Sequence, residues 1–305
     1  MSIKVCSIIV TFNRKDLLVK NIDAVVSQSY QSDILIIDNA STDGTKDLLR
    51  QRYDFDRLHI TYYNTGVNIG GSGGFYTGLK LAHESGKYNY FWLMDDDGRP
   101  LGIDCLKGLI DAIPHFKELD ILNSLVVSED GNTLSFGLSD YTSKDQIIEE
   151  YVIGHNNPFN GTLIPSALVS KIGLPHKEFF IGYDEVEYMA RCKKNGGETV
   201  TITNSLYFHP QPQMNTYRFL GRTFVSIEGN WKEYYRLRNS IYYLKEYFGS
   251  FNAIKTGIKK IIGTFIFARD GKIRKTKIVY HAVVDGYKGD FSVDDFHIIK
   301  KYHKK

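Results

Sequence analysis

Three consecutive aspartates, Asp95-Asp96-Asp97, follow directly on the apolar run Tyr90-Phe91-Trp92-Leu93-Met94. Such a run reads as a buried strand, so three carboxylates emerge together where the chain leaves the core. Crowding like charges costs free energy. A divalent cation offsets that cost, because Mg2+ and Mn2+ take oxygen ligands and complete their shells with substrate phosphates. A solvated acidic turn is the plainer reading, and the strand in front of the triplet weighs against it. His209, between strand-like Leu206-Tyr207-Phe208 and Pro210, is a candidate further ligand, although a lone histidine equally suits a structural place.

Two other segments carry chemistry. Asn68-Ile69-Gly70-Gly71-Ser72-Gly73-Gly74-Phe75 reads as a glycine-rich loop ahead of a helix around Phe75 to His83, where free N–H groups can approach an anion closely. It is neither a dinucleotide fingerprint, whose third glycine would fall at Tyr76, nor a P-loop, which needs Gly-Lys-Ser/Thr. Asp184-Glu185-Val186-Glu187 opens a helix with Asp184, Glu187 and Arg191 on one face and Glu185 on another. One of these acids could act as a general base, while Asp184 and Glu187 also have the spacing of a capping box.

The elements that must position these groups alternate. Strand-like 5–10, helix-like 16–28, strand 34–37 ending at Asp38, a short helix near 46–50 and strand 60–63 precede the strand of the triplet. This is the pattern of an α/β domain, in which ligands bind at the carboxyl ends of the strands. A helix at about 103–113, a strand 121–127 and a turn at 129–132 follow. From about residue 216 the chain reads as helical and aromatic, which suggests a catalytic region 1–215 and a helical, basic region 216–305. Tyr234, Tyr235, Arg236 and Arg238 in that region offer sugar-stacking rings and phosphate-binding cations, or else an aromatic packing seam. Further along, Phe251, Ile254, Ile258, Ile261, Ile262 and Phe265 recur at helical spacing beside Lys255, Lys259 and Lys260. That helix either faces the core or lies on an anionic membrane.

Composition excludes several classes. A net charge of +3 on 305 residues sets up no field for nucleic acid. Three scattered cysteines make no disulfide framework or thiolate metal site. No stretch is apolar enough to span a bilayer, so the expectation is a cytoplasmic protein, or one peripheral on the inner face of the membrane.

Taken in order, Val10-Thr11-Phe12-Asn13-Arg14, the segment from Ile37-Asp38-Asn39 to Gly44-Thr45, the acidic triplet and Asp184-Glu185 resemble the inverting GT-A-fold glycosyltransferases of family 2, over residues up to about 210. The glycine-rich segment joined to a full aspartate triplet looks like the galactofuranosyltransferases, with rhamnosyltransferases near by. The resemblance implies a nucleotide-sugar donor, UDP-galactofuranose or dTDP-rhamnose, and a lipid-linked glycan acceptor of bacterial surface polysaccharide synthesis such as O-antigen or capsule. It implies that Thr11, Asn13, Arg14 and Asp38 line the nucleotide pocket with Asn68, Gly70, Gly71 and Gly73, that Asp96 faces the donor, and that Asp95, Asp97 and His209 bind Mn2+ or Mg2+. The family's base, commonly the second acid of a pair, matches Glu185, with Asp184 the other candidate. A nucleotidyltransferase would need glycines after the first strand where Thr11-Phe12-Asn13-Arg14 stands, and a carbohydrate-binding module would leave the triplet unexplained.

Overall fold

The computed structural model describes residues 3–138, 141–154, 158–211, 216–219, 222–225, 231–268 and 271–292. The chain divides into two compact units, Met1–Lys177 with Glu185–Pro212, and Glu178–Asp184 with Gln213–Lys305. The segment 178–184 thus groups with the C-terminal residues, although it lies within the stretch 1–215 that the sequence reads as catalytic.

In the first unit, strands β1 (Val5–Thr11), β2 (Asp33–Asp38), β3 (Ile60–Asn64) and β4 (Tyr90–Asp95) run parallel in the order β3-β2-β1-β4. Helices α1 (Lys15–Val26), α2 (Thr45–Arg52) and α3 (Gly70–Glu84) connect them. Beyond β4 the sheet becomes mixed. After β5 (Arg99–Pro100) and α4 (Cys105–Ala112) come β6 (Ile121–Val127), β7 (Thr133–Leu138), β8 (Tyr141–Ser143), β9 (Tyr151–Ile153), β10 (Thr162–Pro165), α5 (Ser166–Ile172), α6 (Asp184–Lys194) and β11 (Thr199–Phe208). β10 pairs antiparallel with both β4 and β6, and β11 continues the sheet parallel to β6.

Strand alternation builds two cores from one sheet. Ile9, Trp92 and Met94 face one way, onto Leu18, Ile22 and Val25 of α1 and Leu106 and Leu109 of α4. Ile8, Val10, Phe91 and Leu93 face the other, onto Phe75 and Leu79 of α3, Leu168 of α5 and Tyr188 of α6. Strands with both faces covered read as the continuous apolar runs seen in the sequence, and each fully buried aliphatic or Phe side chain contributes about 1.5–3 kcal/mol.

The glycine-rich segment is helix rather than loop. α3 starts at Gly70, and its later glycines let it lie close against the sheet: a Cβ on Gly74 would stand 2.5 Å from Val10 Cγ1, and one on Gly78 would stand 2.4 Å from Ile8 Cγ2. Glycine's poor helix propensity hides such a start from sequence reasoning.

The second unit is not helical from residue 216. A ribbon of β12 (Thr216–Phe219) and β13 (Arg222–Val225) precedes α7 (Trp231–Phe248), α8 (Ser250–Phe267) and α9 (Lys272–Lys288). Of the lysines that make the region 216–305 basic, Lys300, Lys301, Lys304 and Lys305 lie outside the described residues. Among the described residues no helix is long and apolar enough to cross a membrane.

Candidate active site

Parallel pairing brings the functional strand ends level. Thr11 pairs with Asp38, Asp38 with Asn64, and Val10 with Asp95, so β1, β2 and β4 deliver their last residues to one edge of the sheet.

Asp96 is 4% exposed and both its oxygens are engaged. Thr11 Oγ1 and the Phe12 amide donate to Oδ2 at 2.8 and 3.2 Å, and an Arg14 N–H donates to Oδ1 at 3.2 Å. Burial raises its pKa, although Thr11 and Arg14 pull the other way. Asp96 therefore ties the end of β1 to the acidic turn. Arg14 also reaches Asp97 at 2.5 Å, so a guanidinium supplies countercharge to two of the three aspartates.

Asp97 meets His209 across the sheet, with Nε2 3.3 Å from Oδ1. The other ring nitrogen, Nδ1, lies 2.7 Å from the Pro210 carbonyl, which can only accept, so Nδ1 carries a proton and Nε2 is directed to the carboxylate. Burial works against charge on both partners. Their mutual hydrogen bond and attraction outweigh it, with Arg14 also acting on Asp97, so Asp97 lies below the usual carboxylate range and His209 above the usual imidazole range. A histidine fixed by an Nδ1–H bond to a backbone carbonyl, with Nε2 beside a carboxylate, is a donor pair suited to a divalent cation whose remaining positions go to substrate oxygens and water. Among the described residues no three His, Cys, Asp or Glu side chains converge closely enough to hold a metal between them. The closest contact among the expected ligands is the Asp97–His209 pair, and the charge of Asp95 also acts on His209.

The remaining strand-end residues are organised by one another. Asp38 is buried, accepting from the Ser41 amide at 2.8 Å and from the Tyr62 hydroxyl. Asn13 adopts a left-handed backbone (φ 54°), and its side-chain oxygen accepts from the Thr42 amide at 2.7 Å. Asn68 accepts from the Gly70 amide at 2.9 Å, shaping the start of α3, while Gly71 has open space around it and Gly73 packs on Ile69.

Sequence reasoning missed Asn21. It is fully buried on α1 and donates to the carbonyls of Asp95 and Gly98 at 2.8 and 2.7 Å, clamping the acidic turn at both ends. The signal was there: a polar residue sits among Leu18, Ile22 and Val25 on the apolar stripe of an amphipathic helix.

At the opening of α6, Asp184 is 5% exposed, whereas Glu185 is half-buried. Glu187 is turned away from the helix start, toward Arg191 at 2.8 Å and His176 at 3.6 Å. The loop before α6 holds Phe180 and Tyr183 at positive φ (64° and 70°), a conformation that persists in such residues only when their surroundings enforce it. Asn239 donates to the carbonyls of Phe179, Ile181 and Gly182, and Arg238 to those of Glu178 and Phe179.

Of the two readings of α7, ligand contacts or a packing seam, Tyr234, Tyr235 and Arg238 form the seam. Arg238 is 1% exposed, spends its donors on that loop and lies over the Tyr234 and Tyr235 rings, so it cannot meet a phosphate. Tyr234 and Tyr235 are equally buried, Tyr234 donating to Asp285 at 2.7 Å, which leaves no ring face for a sugar. Only Arg236 of the four is exposed.

Parallel strand ends bearing carboxylates, a cation and an aspartate–histidine pair, set in a mixed sheet between helices, make a GT-A-type fold. The glycosyl transferase family 2 model matches residues 6–165, and the chain belongs to that family. It is 30% identical over 219 residues to galactofuranosyltransferase GlfT1 of Mycolicibacterium smegmatis, covering 68% of this chain and 70% of the relative. In structure it is similar to S. aureus TarS 1-349 in complex with UDP-GlcNAc (TM-score 0.61, 14% identity, 93% of this chain and 81% of that one). It is also similar to the Pyrobaculum calidifontis mannosyltransferase PcManGT in complex with GDP-Man and Mn2+ (TM-score 0.56, 12% identity, 99% and 79%).

Proposed function

We propose that this glycosyltransferase moves galactofuranose from UDP-galactofuranose, with a divalent cation and inversion at the anomeric carbon, onto a lipid-linked or polysaccharide acceptor in bacterial surface glycan synthesis. The observation that carries the reading is the Asp97–His209 pair beside Arg14 at the strand edge, in a chain 30% identical to a galactofuranosyltransferase.

Asp97 and His209 would hold Mn2+ or Mg2+, which when bound stabilises charge on the leaving diphosphate. Arg14 has the planar donor fork that suits diphosphate oxygens. Thr11, Asn13 and Asp38 would line the nucleotide side, and Asp96 would face the donor only as far as its three internal hydrogen bonds allow. Glu185 takes the acceptor hydroxyl proton as that oxygen attacks in line. Its partial exposure supports this role, and the burial of Asp184 argues against the neighbour.

A panel of nucleotide sugars, assayed for UDP or dTDP release with and without Mn2+, tests the donor. Release from UDP-galactofuranose should exceed that from dTDP-rhamnose and require metal. Preference for dTDP-rhamnose would overturn the sugar assignment. For the base, Glu185→Gln should lose transfer and keep UDP binding, whereas a dead Asp184→Asn beside an active Glu185→Gln would move the role to Asp184.

A further inference from the structure

Large apolar side chains are not scattered evenly over this protein's surface. Among the described residues seventeen are exposed, and nine of these lie between positions 248 and 280. α8 carries the densest group: Phe251 is 76% exposed, Phe265 58%, and Ile254, Ile258, Ile262 and Ile266 each between 44% and 53%. The helix packs with its small residues inward. Ala253, Gly257 and Thr264 are buried, and a Cβ on Gly257 would stand 2.5 Å from Val283 Cγ1 of α9. A helix with only water outside has the opposite arrangement, with large apolar residues inward. At about 100° per residue the six exposed apolar positions form one stripe, roughly 120° wide and about 22 Å long.

Charge identifies what meets that stripe. α8 contains Lys255, Lys259 and Lys260 and no carboxylate, and all three lysines are exposed. Exposed Lys272, Arg274 and Lys277 follow on the first turns of α9, which has no acidic residue before Asp285. Helical spacing sets Lys255 and Lys259 along one margin of the stripe. In a two-fold contact between copies of this chain these cations would recur on both sides with no carboxylate of α8 to meet them. An anionic bilayer offers both an apolar layer and negative headgroups, and α8 is too short of continuous apolar residues to cross it.

We propose that the outer face of α8 docks on an anionic membrane, with Phe251, Ile254, Ile258, Ile262, Phe265 and Ile266 entering the acyl boundary and Lys255 and Lys259 meeting the headgroups. The inference deepens the lipid-linked acceptor of the proposed function and rests on that reading only for its purpose, since the docking itself needs no donor.

The test is co-sedimentation of the full chain with vesicles of phosphatidylcholine, with and without phosphatidylglycerol, beside UDP-galactofuranose hydrolysis in vesicle-free buffer. Binding should require the anionic lipid and weaken with salt. Phe251→Ser with Ile258→Ser should weaken it about tenfold or more, and Lys255→Glu with Lys259→Glu should also weaken it. Both pairs are exposed, so unchanged melting and unchanged hydrolysis serve as controls. Equal binding to neutral vesicles, or binding that survives both double variants, would overturn the proposal. Self-association that Phe251→Ser/Ile258→Ser abolishes, with no vesicle binding, would overturn it in favour of a second copy. Lost docking with hydrolysis intact would leave the transferase reading standing, and the reverse would separate the two the other way.

Discussion

Asn21, Asp96 and Arg14 decide where the acidic turn sits, and their removal should show it. Asn21→Leu keeps the side-chain size but leaves the Asp95 and Gly98 carbonyls buried without donors, so it should cost about 2–3 kcal/mol in denaturant unfolding and weaken Mn2+ binding as the turn drifts. Unchanged metal affinity in a destabilised variant would reduce Asn21 to a structural role. Metal uptake should also depend on pH in a definite direction. His209 must be neutral at Nε2 to bind a cation, and its pKa is raised by Asp97 against the effect of burial. The imidazolium–carboxylate pair therefore exists above the depressed Asp97 value and is lost as pH rises through the elevated His209 value. Mn2+ affinity should increase over that same interval, with proton release measurable by calorimetry in buffers of different ionisation enthalpy. At this scale the triplet and His209 were legible as a strand-end cluster. The distribution of their contacts was not, because a sequence does not tell which carboxylate a nearby arginine will occupy.

The helices and strands carry a second set of expectations. Gly74→Ala would force a methyl group into Val10 and push α3 off the sheet, an overpacking cost of about 1–3 kcal/mol readable as a lowered denaturation midpoint. On α6, Glu187 is 2% exposed and its pKa falls from 4.5 to about 2, because hydrogen bonds from His176 and Arg191 outweigh burial. A depressed carboxylate contributes stability above its unfolded value and loses it on acidification, so about 3 kcal/mol should disappear as pH falls from about 4.5 to about 2. Glu187→Gln should flatten that part of the stability profile. β1, β2 and β4 were legible because strands buried on both faces give uninterrupted apolar runs, and the half-exposed β3 was legible from its β-branched and aromatic residues. The beginning of α3 was not, since its glycines serve a close approach visible only once the sheet is in place. Arg238 stayed open between ligand and packing seam for a related reason: an arginine among tyrosines looks available to ligands until the carbonyls of Glu178 and Phe179 take its donors.

For the molecule as a whole, the first unit supplies a sheet whose strand ends gather carboxylates, an arginine and a histidine, and the second supplies a cationic helix with its apolar side outward. The periodicity of α8 revealed one apolar face but could not say whether protein covered it, and among the described residues that face is exposed. The central claim is that the Asp97–His209 pair makes donor cleavage metal-dependent. The most direct measurement is the rate of UDP release from UDP-galactofuranose for the native chain and for Asp97→Asn, each with Mn2+ and with chelator. The account predicts release that requires Mn2+ in the native chain and falls by about 10²–10³ in the variant. Release that persists in chelator, or an Asp97→Asn variant as active as the native chain, would contradict it.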